Sequence, residues 1–226
     1  AIADLITIGD NMADIGSDHA RLPIYLLKNA RIPSAVASEL GDGPYQRTLA
    51  AVRNCHLQDR IEVRQGDGLQ TLETAEVATV VIAGLGGDSI AAILSWDWAK
   101  ADSFQKYIFQ PMTKADVLRK TLAANGWPVL QEKLLLDNGR HVVIIVSQPG
   151  RSPYQIDEIT AELGAEILKA DNEIKREYLF KYLEKYTRIY TSLDSARQDK
   201  QATADACRDK IARLEMILGE SHRPRC

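Results

Sequence analysis

The sequence is short of cysteine, of long apolar runs and of net positive charge, and each shortage excludes a class of protein. Its three cysteines, Cys55, Cys207 and Cys226, lie far apart and form no CxxC pair. That usage points to a reducing, cytoplasmic compartment and away from structural zinc or a disulfide framework. The four histidines are equally scattered, so no metal site is expected. No apolar run approaches the roughly 18 residues of a membrane span, and no signal-peptide pattern opens the chain. A start at Ala1 rather than Met leaves room for residues ahead of it. The net charge is −3, with 14 Lys+Arg against 17 Asp+Glu up to residue 150 and 14 against 14 beyond it. Any nucleic-acid surface is therefore a local patch, because global charge supplies none.

What remains is ordinary globular composition, 45% hydrophobic and 26% charged, in a chain long enough for one large domain with a small appendage. Up to about residue 150, short apolar runs alternate with amphipathic stretches. Strands are expected at Met12–Ile15, Ala35–Leu40, Ile61–Arg64, Val77–Ala83 and Tyr107–Phe109. Helices are expected at Leu22–Asn29, from Pro44 to about Asn54, at Asp88–Leu94 and at Lys114–Asn125. Two further strands, Val129–Leu136 and His141–Ser147, flank Asn138-Gly139, a strong hairpin signal. Five β–α alternations and a hairpin predict an α/β, Rossmann-like fold. It is a mostly parallel seven-stranded sheet with an antiparallel edge hairpin, the arrangement of class I methyltransferases.

Gln148–Pro153 is a natural break, dividing a domain of residues 1–150 from a C-terminal unit of residues 151–226. Beyond it no proline occurs until Pro224, and apolar residues recur at three- and four-residue spacing over Glu173–Leu193 and Ala204–Leu218. Two such helices joined around Asp194–Gln201 predict an α-helical coiled-coil hairpin whose stripe is the seam between them.

Chemistry is expected at the C-terminal ends of the strands, where open α/β sheets bind ligands. Gly16 lets ligand and backbone approach closely, while Asp14 orients the loop or holds the ligand's amino-acid part through water. Glu39, followed by Leu40, ends the second strand, and a carboxylate there suits ribose hydroxyls. Asp67, between Gly66 and Gly68, suits an adenine amino group. Ala83-Gly84-Leu85-Gly86-Gly87 ends the fourth strand with small residues that let two substrates meet. Each position alone also reads as an ordinary turn or a solvated strand end; their strength is in coming at four successive strand ends.

NAD shares the first two signals, but its pyrophosphate needs glycines where this loop has Asp18 and Arg21. An aspartate there repels phosphate, whereas the sulfonium and ammonium of S-adenosyl-L-methionine favour an acidic loop.

Asp14-Ile15-Gly16-Ser17-Asp18-His19-Ala20, Leu22-Pro23-Ile24, Gly43-Pro44-Tyr45, Gly66-Asp67-Gly68-Leu69, Ile82–Gly87 and Gln110-Pro111 together resemble the bacterial tRNA (adenine-N1)-methyltransferases of the TrmK family. The resemblance runs through the tail, where that family carries a helical coiled-coil extension. It implies methyl transfer from S-adenosyl-L-methionine to N1 of adenine 22 in tRNA. Asp14, Gly16, Ser17, His19, Glu39, Leu40, Gly66, Asp67, Gly68, Ala83, Gly84 and Gly86 would then meet the cofactor, and Arg21, Gly87, Gln110 and Pro111 the substrate base. The chain departs from the pattern at Arg21, where many members have a tyrosine. An arginine there stacks through its guanidinium plane or contacts a phosphate.

The acceptor is narrowed by what is missing. No cysteine stands where a cytosine-C5 enzyme needs its nucleophile, and Ala83-Gly84-Leu85-Gly86 replaces the Pro-Pro-aromatic strand end of enzymes acting on exocyclic amines. Asp18 is the candidate catalytic residue, accepting the adenine amino hydrogen, or else it caps the following helix; His19 shapes the pocket or packs beneath the loop. On the tail, Lys169, Lys175, Arg176, Lys181, Lys185 and Arg188 either meet tRNA phosphates or form a solvated, charge-paired face. A small-molecule or protein methyltransferase with a dimerising tail is the alternative, and a non-enzymatic cofactor-binding adaptor is a more distant one. The chain is expected to be a monomer, with a dimer left open.

Overall fold

The computed structural model describes residues 1–194 and 201–220. Strands and helices alternate as the apolar runs do: β1 (Met12–Ile15), α1 (Arg21–Lys28), β2 (Ala35–Glu39), α2 (Asp42–Asn54), β3 (Ile61–Gln65), β4 (Thr79–Gly86), α3 (Gly87–Ser95), α4 (Trp98–Ala101), β5 (Lys106–Thr113) and α5 (Ala115–Ala124). The hairpin strands β6 (Val129–Asp137) and β7 (Arg140–Ser147) follow, then α6 (Glu158–Leu163), α7 (Ala165–Lys169), α8 (Glu173–Asp194) and α9 (Gln201–Glu220).

The seven strands form one sheet in the order β3-β2-β1-β4-β5-β7-β6. The first five are parallel, and β7 runs antiparallel to both β5 and β6. Successive residues of one strand enter opposite apolar layers. Val80, Ile82, Tyr107, Phe109, Val143 and Ile145 join one core cluster, while Val81, Ile108, Ile144 and Val146 join the other. Both faces are covered, which is why these strands read as continuous apolar runs rather than alternating ones. At the hairpin, Asn138 and Gly139 have φ of 47° and 75°, the left-handed pair that a type I′ turn requires.

Two strands outrun their apolar sequence. β4 continues past Ala83 to Gly86, and β5 past Phe109 to Thr113, because pairing between them persists through register shifts around Leu85. Pro111 is tolerated at that irregular stretch, where the ladder does not need its missing N–H.

In the tail, α8 and α9 pack along each other and bury Tyr178, Leu179, Tyr186, Cys207, Leu214 and Leu218. Paired helices are what the structure shows of the expected coiled-coil hairpin, and the connection at 195–200 lies outside the described residues. The stripe has a second use. Tyr178, Leu179, Tyr186, Cys207, Leu214 and Leu218 belong to the same apolar layer as Phe109, Leu122 and Ile145 of the sheet domain.

The two short helices α6 and α7, too brief to show a helical period in sequence, carry that joint. Arg119 on α5 pairs with Glu132 on β6 (Nε–Oε1 2.7 Å), with both side chains almost fully buried. Arg119 Nη1 also donates to the carbonyls of Ala161 (2.7 Å) and Glu162 (3.0 Å), and the Glu166 N–H donates to Glu132 (3.1 Å). Gly164, at φ 93°, passes so close that a Cβ there would run into both charged groups. A buried ion pair adds little net stability, but losing one partner strands a charge in the core. Replacing Glu132→Leu should therefore destabilise the folded chain by about 3–5 kcal/mol, read from the midpoint of urea unfolding.

Candidate active site

The chain runs outward through β1, β2 and β3 and then returns to β4 on the other side of β1. Loops from neighbouring strands diverge at that reversal and open a crevice at the C-terminal edge. The loop after β1 lies there. Gly16 has φ 71°, and Asp18, His19 and Ala20 follow at 38°, 70° and 50°, three consecutive left-handed conformations in residues that carry a Cβ. Such a run persists only where its surroundings hold it. Here, four successive N–H groups are held from the β2 side. Gly16 and Ser17 donate to the Ser38 carbonyl (2.9 and 3.2 Å), Asp18 to Glu39 Oε1 (2.6 Å) and His19 to Thr48 Oγ1 (3.1 Å).

Glu39 is buried at the end of β2. Leu40 follows it with an exposed side chain, and the Gly66 N–H donates to the Glu39 carbonyl (2.9 Å), bringing the Gly66-Asp67-Gly68 turn alongside. Asp67 is exposed above that turn. A cavity of about 410 Å³ opens here between Leu40, Asp67, Gly68, Leu85 and Trp96. Across β1, Gln110 on β5 accepts from the Gly84 N–H (3.1 Å), and Pro111 is buried behind it. Gln110 and Arg21 line a second cavity of about 700 Å³, together with Tyr25 and the β6–β7 hairpin.

Glycine geometry marks the space between these two cavities. A Cβ at Gly16 or at Gly84, both at positive φ, would meet no atom within 4 Å. Gly87 is a packing glycine instead, since a Cβ there would strike the Lys114 backbone. It serves the contact between α3 and the start of α5 rather than opening a ligand space.

The expected residues other than Gly87 thus come to one edge of the sheet, with two adjustments at the β1 loop. Asp18 does not cap α1: Ala20 holds the cap position and no side chain bonds the helix N-terminus. The left-handed run turns the Asp18 side chain to solvent, 68% exposed, with Oδ1 3.5 Å from His19 Nε2. His19 does not pack beneath the loop either; its ring is 38% exposed. Sequence reasoning missed Thr48, Tyr25 and Trp96. Thr48 gave no signal, being one of several polar residues on an amphipathic helix. Tyr25 falls within the expected Leu22–Asn29 helix and Trp96 just past the expected Asp88–Leu94 one, and neither lies in a motif.

Comparison with known proteins decides the relationship. Residues 12–216 match the family model described as TrmK, tRNA (adenine(22)-N(1))-methyltransferase. The tRNA (adenine(22)-N(1))-methyltransferase of Bacillus subtilis is 30% identical over 220 residues, covering 96% of this chain and 92% of that protein. This chain belongs to the TrmK family. Among solved structures, the B. subtilis TrmK m1A22 tRNA methyltransferase superposes with a TM-score of 0.87 at 28% identity, covering 96% of this chain and 95% of that one. A Streptococcus pneumoniae protein described as a putative tRNA (m1A22) methyltransferase, in complex with S-adenosyl-L-methionine, gives 0.85 at 29% identity and covers 96% of each chain. Among the described residues no group of His, Cys, Asp and Glu is arranged to hold a metal ion, and no helix is long and apolar enough to cross a membrane.

In this TrmK-family chain, Asp14 is buried beside the β1 loop, as Glu39 is. Burial pushes its carboxyl up to about 7, the neighbouring Glu39 charge adds to the rise, and the Ser17 hydroxyl bond (2.6 Å) opposes it. The sign follows from linkage. The unfolded carboxyl titrates near 3.8 and the folded one near 7, so ionising Asp14 costs native stability as pH rises between them. Relative to Asp14→Asn, the ligand-free parent should lose stability progressively from pH 4 to pH 7 and level off above. Paired urea titrations across that range check it.

Proposed function

We propose that this chain transfers the methyl group of S-adenosyl-L-methionine to N1 of adenine 22 in tRNA. The observation that carries the reading is the pair of open, positive-φ glycines, Gly16 and Gly84, set beside the buried acids Asp14 and Glu39 at the topological switch point. The cofactor's adenosine needs a carboxylate for ribose hydroxyls and room for a base, and its cationic end needs acid rather than phosphate-binding glycines. Glu39 would take the ribose, and Leu40, Gly66, Asp67 and Gly68 would border the adenine. Asp14, Gly16, Ser17 and His19 would meet the amino-acid part, and Ala83, Gly84 and Gly86 would lie beside the sulfonium. Bound cofactor supplies an electrophilic methyl group.

Adenine N1 presents an in-plane lone pair and needs no base to remove a proton, so placement is most of the catalytic task. The base is stacked in folded tRNA and must be turned out to reach the crevice. Arg21, Gln110 and Pro111 border the side from which it would enter, and Gly87 holds α3 behind it. Asp18, solvent-facing on its strained loop, would accept the adenine amino hydrogen and stabilise positive charge as the base becomes methylated.

The unit of residues 151–226 is proposed to extend the tRNA surface. Lys175 takes no part, being buried and donating to the Leu168 carbonyl (3.1 Å), and Lys169 is paired with Glu166. Lys181, Lys185 and Arg188 lie exposed along one face of α8 and are the better phosphate contacts. A monomer in the cytoplasm fits this role, tRNA being the large partner.

Pure enzyme with labelled cofactor and tRNA should yield a single modified nucleotide, 1-methyladenosine at position 22, by digestion and mass spectrometry; methyl on any other atom overturns the proposal. Asp18→Ala should lower kcat for tRNA by about 10–100-fold while leaving cofactor affinity within about threefold. Full turnover with lost cofactor affinity would remove Asp18 from the chemistry.

A further inference from the structure

Thr48 lies on α2, outside every motif of the site, yet it is completely buried and its hydroxyl is used twice. It accepts from the His19 N–H (3.1 Å) and donates to Glu39 Oε1 (3.2 Å), the same oxygen that accepts from the Asp18 N–H at 2.6 Å. Glu39, Thr48 and two loop N–H groups thus form one closed cluster. A hydroxyl has one proton and two lone pairs, so this placement commits its proton to the carboxylate and a lone pair to the loop. It meets Asp18-His19-Ala20 where the backbone holds three left-handed residues in succession. Left-handed geometry in residues with a Cβ is kept by surrounding contacts rather than by local preference.

We infer that Thr48 is a positioning residue that ties the Gly16–Ala20 loop to Glu39, so that the carboxylate receiving the cofactor and the loop presenting Asp18 to the base are set together. The inference rests on the function proposed above. The hydroxyl holds Glu39 from the helix side, leaving Oε2 without a protein hydrogen bond among the described residues. That leaves an acceptor oxygen for ribose. It also fixes His19, hence the peptide on which Asp18 rides. An oversight of the sequence is explained at the same time: only the fold brings α2 under the β1 loop.

Thr48→Val keeps the side chain's shape, deletes both bonds and leaves the His19 N–H unpaired, while Thr48→Ser keeps the hydroxyl. The full-length chain is tested by titration calorimetry with S-adenosyl-L-methionine and by steady-state methylation of a tRNA transcript. Both run at a temperature where circular dichroism shows each variant folded. Thr48→Val should weaken cofactor binding and lower kcat by about tenfold each, the effect of one unpaired buried donor, and Thr48→Ser should stay within about threefold of the parent on both. A purely structural Thr48 would lower the melting temperature and leave affinity and kcat of the folded enzyme unchanged; that result overturns the inference. Equal losses in Thr48→Ser and Thr48→Val overturn it too. If the parent binds cofactor but methylates no tRNA, the proposed function falls, and the calorimetric series alone still decides the role of Thr48.

Discussion

A carboxylate buried at the end of a parallel strand has to be satisfied or neutralised, and at Glu39 the satisfaction is structural. Its Oε1 takes the Asp18 N–H and the Thr48 hydroxyl. Through these bonds the β1 loop, the end of β2 and the body of α2 become one unit, and the carbonyl of the same residue draws in the Gly66 turn. The loop after β1 depends on this because three of its residues hold backbone angles that they would not choose alone. The geometry of the candidate active site is therefore an outcome of burying one acid. Asp14, two residues before the loop glycine, is the second buried acid, and the mutual repulsion of the two is part of why its proton is held so tightly.

The tail is attached by a different device. Arg119 and Glu132 face one another in the core, and Arg119 Nη1 and Glu132 Oε2 also bond the backbone of α6 and α7. The apolar stripe on α8 and α9 then continues the layer that covers the sheet. Helices that look from sequence like an independent hairpin are thus fastened to the catalytic sheet by a charged joint and by a shared core. An RNA contacted by the exposed face of α8 would be held at a set distance from the strand edge.

The succession of strands and helices, the hairpin and the acids and glycines at the strand ends were legible because they rest on local signals. Apolar runs such as Val80–Ile82 declare buried strands, Asn138-Gly139 declares its turn, and Gly16 with Glu39 declares a ligand edge. What was not legible depends on partners far along the chain. α6 and α7 are too short to show a period, and their backbones meet the buried Arg119–Glu132 pair. Asp18 followed by a helix resembles a cap, and only the left-handed run shows that its side chain points elsewhere. Lys175 looked like one of six solvent-facing cations and is buried against the Leu168 carbonyl.

The sequence by itself determined the class of fold, the candidate edge for a ligand and the family to which the chain belongs, since periodicity and short motifs are properties of neighbouring residues. Tertiary structure decided which groups act together. Thr48 and Glu39 are nine residues apart and His19 is twenty-nine from Thr48, and no local rule brings a hydroxyl on one helix beneath a loop from another strand. Burial decided the rest: the same carboxylate is a solvated charge on a surface and a proton-holding acid at Asp14, because the cost of charge depends on the dielectric that the fold builds around it.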